Sequence, residues 1–252
     1  MRHVAGQDVL NHRIQPSRIS TRPLYLQARD AIAQRIAVGE WRPTTAIPNE
    51  GVLARELGVS PGTMRKALDM LELERLLTRR QGRGTFVNDQ SAGEHATRYN
   101  KLRGRGGEAV RGEVRVLTVM EANASERECV RLRLRSHDKV HRIRRLRSSE
   151  GKPYLLEDLA MPASLFPQLA GHQDGAQRLV VLAQRFGVLL GRGEERVTIG
   201  SAAPDAALAL QVAPAATIMV LDRVIYTLEE KAAEWRLGQC LVGGRYYLAE
   251  FN

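Results

Sequence analysis

Thr63, Arg65 and Lys66 put a hydroxyl, a guanidinium and an ammonium within about one helical turn, just after Ser60 and Pro61. These groups suit the gripping of a polyanion. Ser60 can cap a helix and Pro61 can fill its first position, where no amide donor is needed. The three side chains then stand in the opening turns, the part of a helix that reaches base edges in the major groove of B-DNA. Arg65 can bond a phosphate or the O6/N7 pair of a guanine. Thr63 can touch a thymine methyl or a phosphate oxygen, and Lys66 suits phosphate. Taken singly, Arg65 and Lys66 are equally well solvated helix residues. Downstream, Gln81-Gly82-Arg83-Gly84 forms a hairpin tip that argues against that reading. Arg83 can reach the minor groove, and the Gly82 and Gly84 amides let the backbone approach a nucleic-acid strand closely.

A second constellation lies in the later half. Arg145 and Arg147 are two apart in a strand pattern, so both side chains leave one face. Two guanidiniums on one face repel unless negative charge lies between them. A carboxylate or phosphate ligand is one answer. Cross-strand pairing with Glu157 or Glu234 is the other. Arg144 points to the opposite face and should be surface.

No Ser-His-Asp set, scaffolded carboxylate pair or metal-ligand spacing appears, so neither an enzyme nor a cofactor is expected. Cys129 and Cys240 belong to no CxxC pair. Cys240 is expected as a buried core thiol. His137 and His141 are expected at the surface or a strand edge, and His3, His12, His95 and His172 in loops.

The elements that must position these residues follow from pattern. Residues 24–36 repeat at helical spacing after Pro23, and Gly39 stops them. Residues 49–57 form a second helix capped by Asn49, with Glu50 at the positive end of its dipole. Gly58-Val59-Ser60 is the turn, and a third helix runs to about residue 74. Residues 77–79 and 85–87 are the two strands of the wing. Beyond residue 88, strands are expected at 113–120, 140–147, 153–160, 192–199, 218–228 and 233–242. Helices are expected at 125–132, 164–169, 177–186 and 204–210, and 103–107 as loop. Short turns between adjacent strands argue an antiparallel α+β sheet.

The 252 residues suffice for two modest domains. We divide them into a flexible basic N-terminal arm (1–22), a winged helix-turn-helix (23–88), a linker (89–97) and a second domain (98–252). With 43% hydrophobic and 26% charged residues the composition is that of a soluble globular protein, and the net charge of +10 favours a polyanionic partner. No apolar run approaches the roughly 18 residues of a membrane span, and the start lacks a secretory signal pattern. A cytoplasmic protein is expected.

Four segments together resemble the GntR family of bacterial transcription regulators: Pro23-Leu24-Tyr25-Leu26-Gln27, Ile47-Pro48-Asn49-Glu50, residues 59–68, and Arg79-Arg80-Gln81-Gly82-Arg83-Gly84-Thr85-Phe86-Val87. The resemblance implies a homodimer on a palindromic double-stranded DNA operator. Its DNA-facing set falls on Asn49, Thr63, Arg65, Lys66, Arg79, Gln81, Gly82, Arg83, Gly84 and Thr85. There are departures: Asn49 replaces a usual Ser, Pro61 a frequent Arg, and Arg75 a common Gly. The loss of an arginine at Pro61 removes one base contact, so relatives' operator preferences do not transfer.

Residues 145–157, Ala233-Glu234-Trp235 and Arg245-Tyr246 resemble the UTRA effector domain of the HutC subfamily. That resemblance implies a chorismate-lyase-like α+β fold that binds a small molecule through Arg145, Arg147, Glu157, Glu234 and Arg245 and controls DNA affinity, and the paired guanidiniums make an anionic effector one expectation. Gly244 replaces a usual Asp and Leu241 a usual Tyr, which points toward a more apolar or larger effector. The function expected is a sequence-specific, effector-controlled transcription regulator, in the first instance a repressor. The alternatives are a sequence-tolerant architectural DNA-binding protein and, behind it, a lyase-like enzyme.

Overall fold

The fold is described from a computed structural model, which covers residues 22–249 apart from 91, 93, 94, 111 and 170. The expected arm, with His3 and His12, lies outside the described residues. The chain divides into two compact units, one up to Asp89 and one from Gln90.

The first unit holds α1 (Leu24–Ala37), α2 (Glu50–Leu57), α3 (Pro61–Leu73) and a hairpin of β1 (Leu77–Arg80) and β2 (Gly84–Val87). Local chemistry sets each boundary. The Asn49 side chain accepts from the Val52 amide (3.0 Å), and that of Ser60 from the Thr63 amide (3.1 Å). Gly58 takes the left-handed conformation (φ 66°) that closes α2. Ile32, Leu53, Leu57, Met64, Leu68, Leu71 and Leu77 bury the shared face. Arg29, with 6% of its surface exposed, is held beneath it by the Glu74 carboxylate, with Nε 3.0 and 3.1 Å from its two oxygens.

The second unit is built on a six-stranded sheet in the order β4-β5-β6-β9-β8-β7, every neighbour antiparallel. Its strands are β4 (Glu113–Asn123), β5 (Lys139–Ser149), β6 (Lys152–Pro162), β7 (Leu190–Ser201), β8 (Thr217–Thr227) and β9 (Ala232–Cys240). One face is covered by α4 (Glu126–Leu132) and α7 (Pro204–Leu210). The other face carries α5 (Gly171–Ala176) and α6 (Leu179–Arg185) over a cluster that includes Ile143, Leu159, Phe166 and Ile225. Elsewhere on that face lies a small ladder of β3 (Leu102–Arg103) and β10 (Tyr246–Tyr247), beside a second cluster containing Leu102, Val110, Leu155 and Leu221.

Several expectations are corrected. Residues 164–169 are turns rather than a helix. Pro167 disfavours helical backbone at Phe166, and Gln168 takes a left-handed φ of 64°. The helix expected at 177–186 starts at Leu179, and α5 precedes it as a separate turn of helix. Leu102 and Arg103 pair with Tyr247 and Tyr246, so Arg103 is not in a loop. His141 is 3% exposed and its Nε2 sits 3.0 Å from the Phe166 carbonyl, which corrects its expected surface position. His95 lies in a short 3₁₀ turn. Cys240 is buried, and burial pushes its thiol up to about 11.

Ile32 has no exposed surface where α1 meets α3. Ile32→Ala is expected to cost roughly 2–5 kcal/mol of stability in a urea titration of the first unit's transition. A loss under about 1 kcal/mol would contradict this packing.

Candidate nucleic-acid interface and ligand cavity

The first turns of α3 present an open polar face. Arg65 and Lys66 are exposed and Thr63 is half-buried, its hydroxyl 2.8 Å from Ser60 Oγ. Arg65 is not free-standing. It reaches back across the helix-turn-helix to Glu50, with Nε 3.2 Å and Nη2 3.1 Å from the two carboxylate oxygens. Lys66 Nζ lies 3.8 Å from the centre of the Tyr25 ring on α1. Both partners orient cations that their position in the helix alone leaves loose.

On the wing, Gln81, Gly82, Arg83 and Gly84 are exposed and Thr85 is half-buried. Gly82 and Gly84 have φ of 68° and 107°, backbone that a side chain would strain. Arg83 has no side-chain partner among the described residues. Arg79 is occupied differently. Its guanidinium pairs with Asp69 and lies 3.6 Å from Glu72, tying the wing to α3. Asn49 spends its side chain on the α2 cap. The structure thus groups Thr63, Arg65 and Lys66 on one helix and Gln81–Thr85 at one hairpin tip, and gives Asn49 and Arg79 internal work.

In the second unit, sheet register assembles charges from sequence-distant strands. Arg145 on β5 stands opposite Glu157 on β6, and Arg223 on β8 opposite Arg236 on β9. Glu157 has no exposed surface. Its Oε2 accepts from Arg145 Nε (2.7 Å) and Arg147 Nε (2.6 Å), and its Oε1 from Arg236 Nη1 (2.9 Å). Burial alone raises this carboxyl, but the guanidiniums of Arg145, Arg147 and Arg236 outweigh it and hold the group well below 4.5. Of the two readings left open by spacing, pairing with Glu157 is what the structure contains. Glu234 is engaged instead by Arg223 Nη2 (2.7 Å). Arg144 points to the opposite face as expected and reaches Asp205.

Arg145, Arg147, Arg178, Arg223, Arg236 and Glu234 line a cavity of about 80 Å³, with Tyr99 and Asn100 also on its wall. Arg145 also donates to the carbonyls of Gly175 (2.9 Å) and Gln177 (2.8 Å). That contact needs α5 close to the sheet; a Cβ on Gly175 would lie 3.0 Å from Val119 and 3.2 Å from Ile143. Arg223 Nη1 donates to the Tyr99 carbonyl (2.6 Å), and Arg236 Nη2 to Glu195 (2.5 Å). The four inner guanidiniums, those of Arg145, Arg147, Arg223 and Arg236, meet three carboxylates, Glu157, Glu195 and Glu234, which leaves one positive charge in excess, while Arg178 is exposed at the edge. Arg223 Nε and Arg236 Nε are buried with no acceptor. A buried donor left so costs roughly 1–3 kcal/mol, and both of these residues line the cavity.

Arg245 is not on this wall. It stacks 4.5 Å from the Tyr154 ring and lines a separate open depression with Gly243 and Gly244. Leu241 packs in the cluster under α7, on the other side of the sheet. The expected apolar enlargement is therefore absent from the cavity wall. Pattern reading missed Arg178, Arg223 and Arg236. Arg223 follows Asp222 on β8 and Arg236 lies between Trp235 and Leu237 on β9, a signal that gains meaning only once these adjacent strands are placed in register.

The description "Bacterial regulatory proteins, gntR family" fits residues 24–87, and the UTRA domain fits residues 109–241. The chain is 33% identical over 151 residues to the mannosyl-D-glycerate transport/metabolism system repressor MngR of Escherichia coli (strain K12), covering 59% of this chain and 62% of that protein. It is 31% identical over 148 residues to the histidine utilization repressor of Pseudomonas putida, covering 58% and 59%. The chain thus spans about three fifths of the length of these two curated relatives. Among solved structures, the ligand-binding domain of a Bordetella bronchiseptica protein assigned to the GntR-family regulators superposes with a TM-score of 0.55 at 27% identity, covering 60% of this chain and 96% of that one. PhnF from Mycobacterium smegmatis superposes with a TM-score of 0.54 at 20% identity, covering 89% and 99%, a likeness of fold alone.

The state of Glu157 predicts an acid transition. Its carboxyl is held below 4.5 in the folded protein, so its contribution is complete above that pH and is lost as pH falls toward the folded value. The thermal midpoint of the second unit should drop as pH is lowered below about 4.5, and Glu157→Gln should flatten that drop. An equal pH dependence in both proteins would remove Glu157 from the explanation.

Proposed function

The chain belongs to the GntR family of bacterial regulatory proteins and carries the family's UTRA domain, and from that premise we propose that it is a ligand-responsive transcription regulator acting as a repressor. A homodimer lays two α3 helices in successive major-groove half-sites of a palindromic operator, with the Arg83 wings in the flanking minor grooves. A small anionic effector enters the cavity beside Arg145 and Arg147 and changes operator affinity. By linkage, it must bind the two DNA-affinity states unequally.

The observation that carries this reading is the pairing, in one chain, of a capped, cation-bearing helix-turn-helix with a cavity whose charges do not balance. The relatives named as repressors support the sense of the regulation. The site of action is the cytoplasm, where the DNA is; no helix among the described residues is long and apolar enough to cross a membrane. Family membership favours regulation over lyase chemistry, since fold likeness alone grants no catalysis. Arg145 and Arg147 are moreover already committed to Glu157.

Two measurements test the DNA half. Fluorescence anisotropy on an operator duplex should show affinity falling steeply and linearly on a log-log salt plot, through counterion release. Arg65→Ala should cost roughly 1–3 kcal/mol on the operator and much less on scrambled duplex. Equal losses on both sequences would make Arg65 a backbone contact. Uniform footprinting along DNA would favour the architectural alternative.

A further inference from the structure

Resting on the regulator reading above, we propose that Glu50 is a positioning residue that determines specificity on DNA: it aims the Arg65 guanidinium at a guanine edge and bars it from the phosphate backbone.

The first support is the shape of the pair. Glu50 is the first residue of α2, and Arg65 lies in the second turn of α3. Arg65 Nε and Nη2 lie 3.2 and 3.1 Å from the two oxygens of the carboxylate, which therefore occupies the side edge of the guanidinium. A guanidinium carries five N–H donors in one planar fork. Both donors on Nη1 and one on Nη2 stay open. Together they form the end-on fork that fits O6 and N7 of a guanine. An unheld arginine presents either edge, whereas this one presents only the end.

The second is the choice of partner. Asp69 stands four residues after Arg65 on the same helix, a spacing at which opposite charges ordinarily meet. The wing's Arg79 takes Asp69 instead, and Arg65 goes to the carboxylate across the turn. The Arg65 and Glu50 side chains are 69% and 25% exposed. So open a pair contributes little to folding. Its geometry is thus available for another purpose.

The third is electrostatic. A guanine edge is neutral and accepts from Arg65 with Glu50 in place. A phosphate brought to the same fork also meets the negative charge of Glu50, which repels it. The pair is neutral as a unit, so it displaces few counterions on non-specific duplex. No second guanidinium stands in the opening turns of α3. Pro61 and Gly62 carry no donor side chain, and Lys66 is held over the Tyr25 ring.

Fluorescence anisotropy on the full-length protein tests the assignment across a salt series. The probes are a duplex selected from random sequence by the wild-type protein and a scramble of it. Glu50→Gln keeps the size and removes the charge. It should lower the affinity ratio of selected to scrambled duplex about fivefold or more, the scale of one bidentate guanine contact. On the scramble its log-log salt slope should steepen by about 0.9, the mark of one added phosphate contact. Glu56→Gln makes the same charge change on α2 at a residue that pairs with Arg35, and should move neither quantity. Replacing single guanines of the selected duplex by 7-deazaguanine, which lacks the N7 acceptor, should weaken wild type at a defined guanine and leave Glu50→Gln nearly indifferent there. A thermal scan checks that each variant folds. If Glu50→Gln does not, Glu50→Asp, which keeps the charge and shortens the reach, should lower the ratio with the slope unchanged.

A wild-type ratio and slope in Glu50→Gln overturn the inference and leave the regulator reading intact. Equal weakening on both duplexes marks a structural residue and overturns it as well, as does an equal response in Glu56→Gln. A lowered ratio at constant slope overturns the barring of phosphate, and a steeper slope at constant ratio overturns the role in specificity. A wild-type protein that selects no duplex overturns the regulator reading itself.

Discussion

Glu157 sits at the centre of the sheet with three guanidiniums around it, two from the strand on one side and one from the strand on the other. A carboxylate with no exposed surface cannot remain charged without such company, and three buried arginines cannot remain there without a carboxylate. Each side of this cluster therefore fixes the other. The arrangement requires β5, β6 and β9 in one register, since a one-residue slip would send every one of these side chains to the opposite face. Such clusters are poor sources of net stability and good sources of a unique arrangement. Here the arrangement holds two cationic strands against a cavity that the cluster itself does not neutralise.

The cavity inherits its character from that imbalance. Glu157 satisfies Arg145 and Arg147 on one side and draws Arg236 inward on the other, where Glu195 takes its second arm. Arg223 is shared between Glu234 and the Tyr99 carbonyl. Tyr99 belongs to the segment that begins the second unit, and its hydroxyl donates to the Gly191 carbonyl on β7 (2.6 Å). The stretch of chain that follows the DNA-binding unit is thus part of the cavity wall. On the proposed function, a ligand that recruits Arg223 would compete with its hydrogen bond to the Tyr99 carbonyl in that stretch.

The DNA-binding unit was largely legible in the sequence because its determinants are local. Asn49, Gly58, Ser60 and Pro61 fix both ends of α2, the start of α3 and the turn between the two helices through contacts within three or four residues. The wing followed from glycines at its tip. The orienting partners Glu50 and Tyr25 escaped, because each lies on a different helix from the cation it holds. In the effector unit the strands were visible as apolar alternation, but the cavity depends on which strand lies beside which. β6 pairs with β9 across more than seventy intervening residues, and no spacing rule places Arg236 next to Glu157. Residues 164–169 looked helical by composition until proline geometry at Pro167 is weighed. His141 reads as a surface or edge residue because it stands at a strand start with no cysteine or acidic partner at metal spacing, yet β5 turns it toward the Phe166 carbonyl.

The central claim is that the charge demand of the cavity and the grip on DNA are coupled. A thermodynamic cycle on the full-length protein tests it most directly: operator affinity with and without a saturating anion, and anion affinity with and without operator, all at one ionic strength. Linkage requires both halves to change by the same factor, and the account predicts a factor of roughly 5–150 against DNA binding. An anion that occupies the cavity while operator affinity stays constant would contradict it.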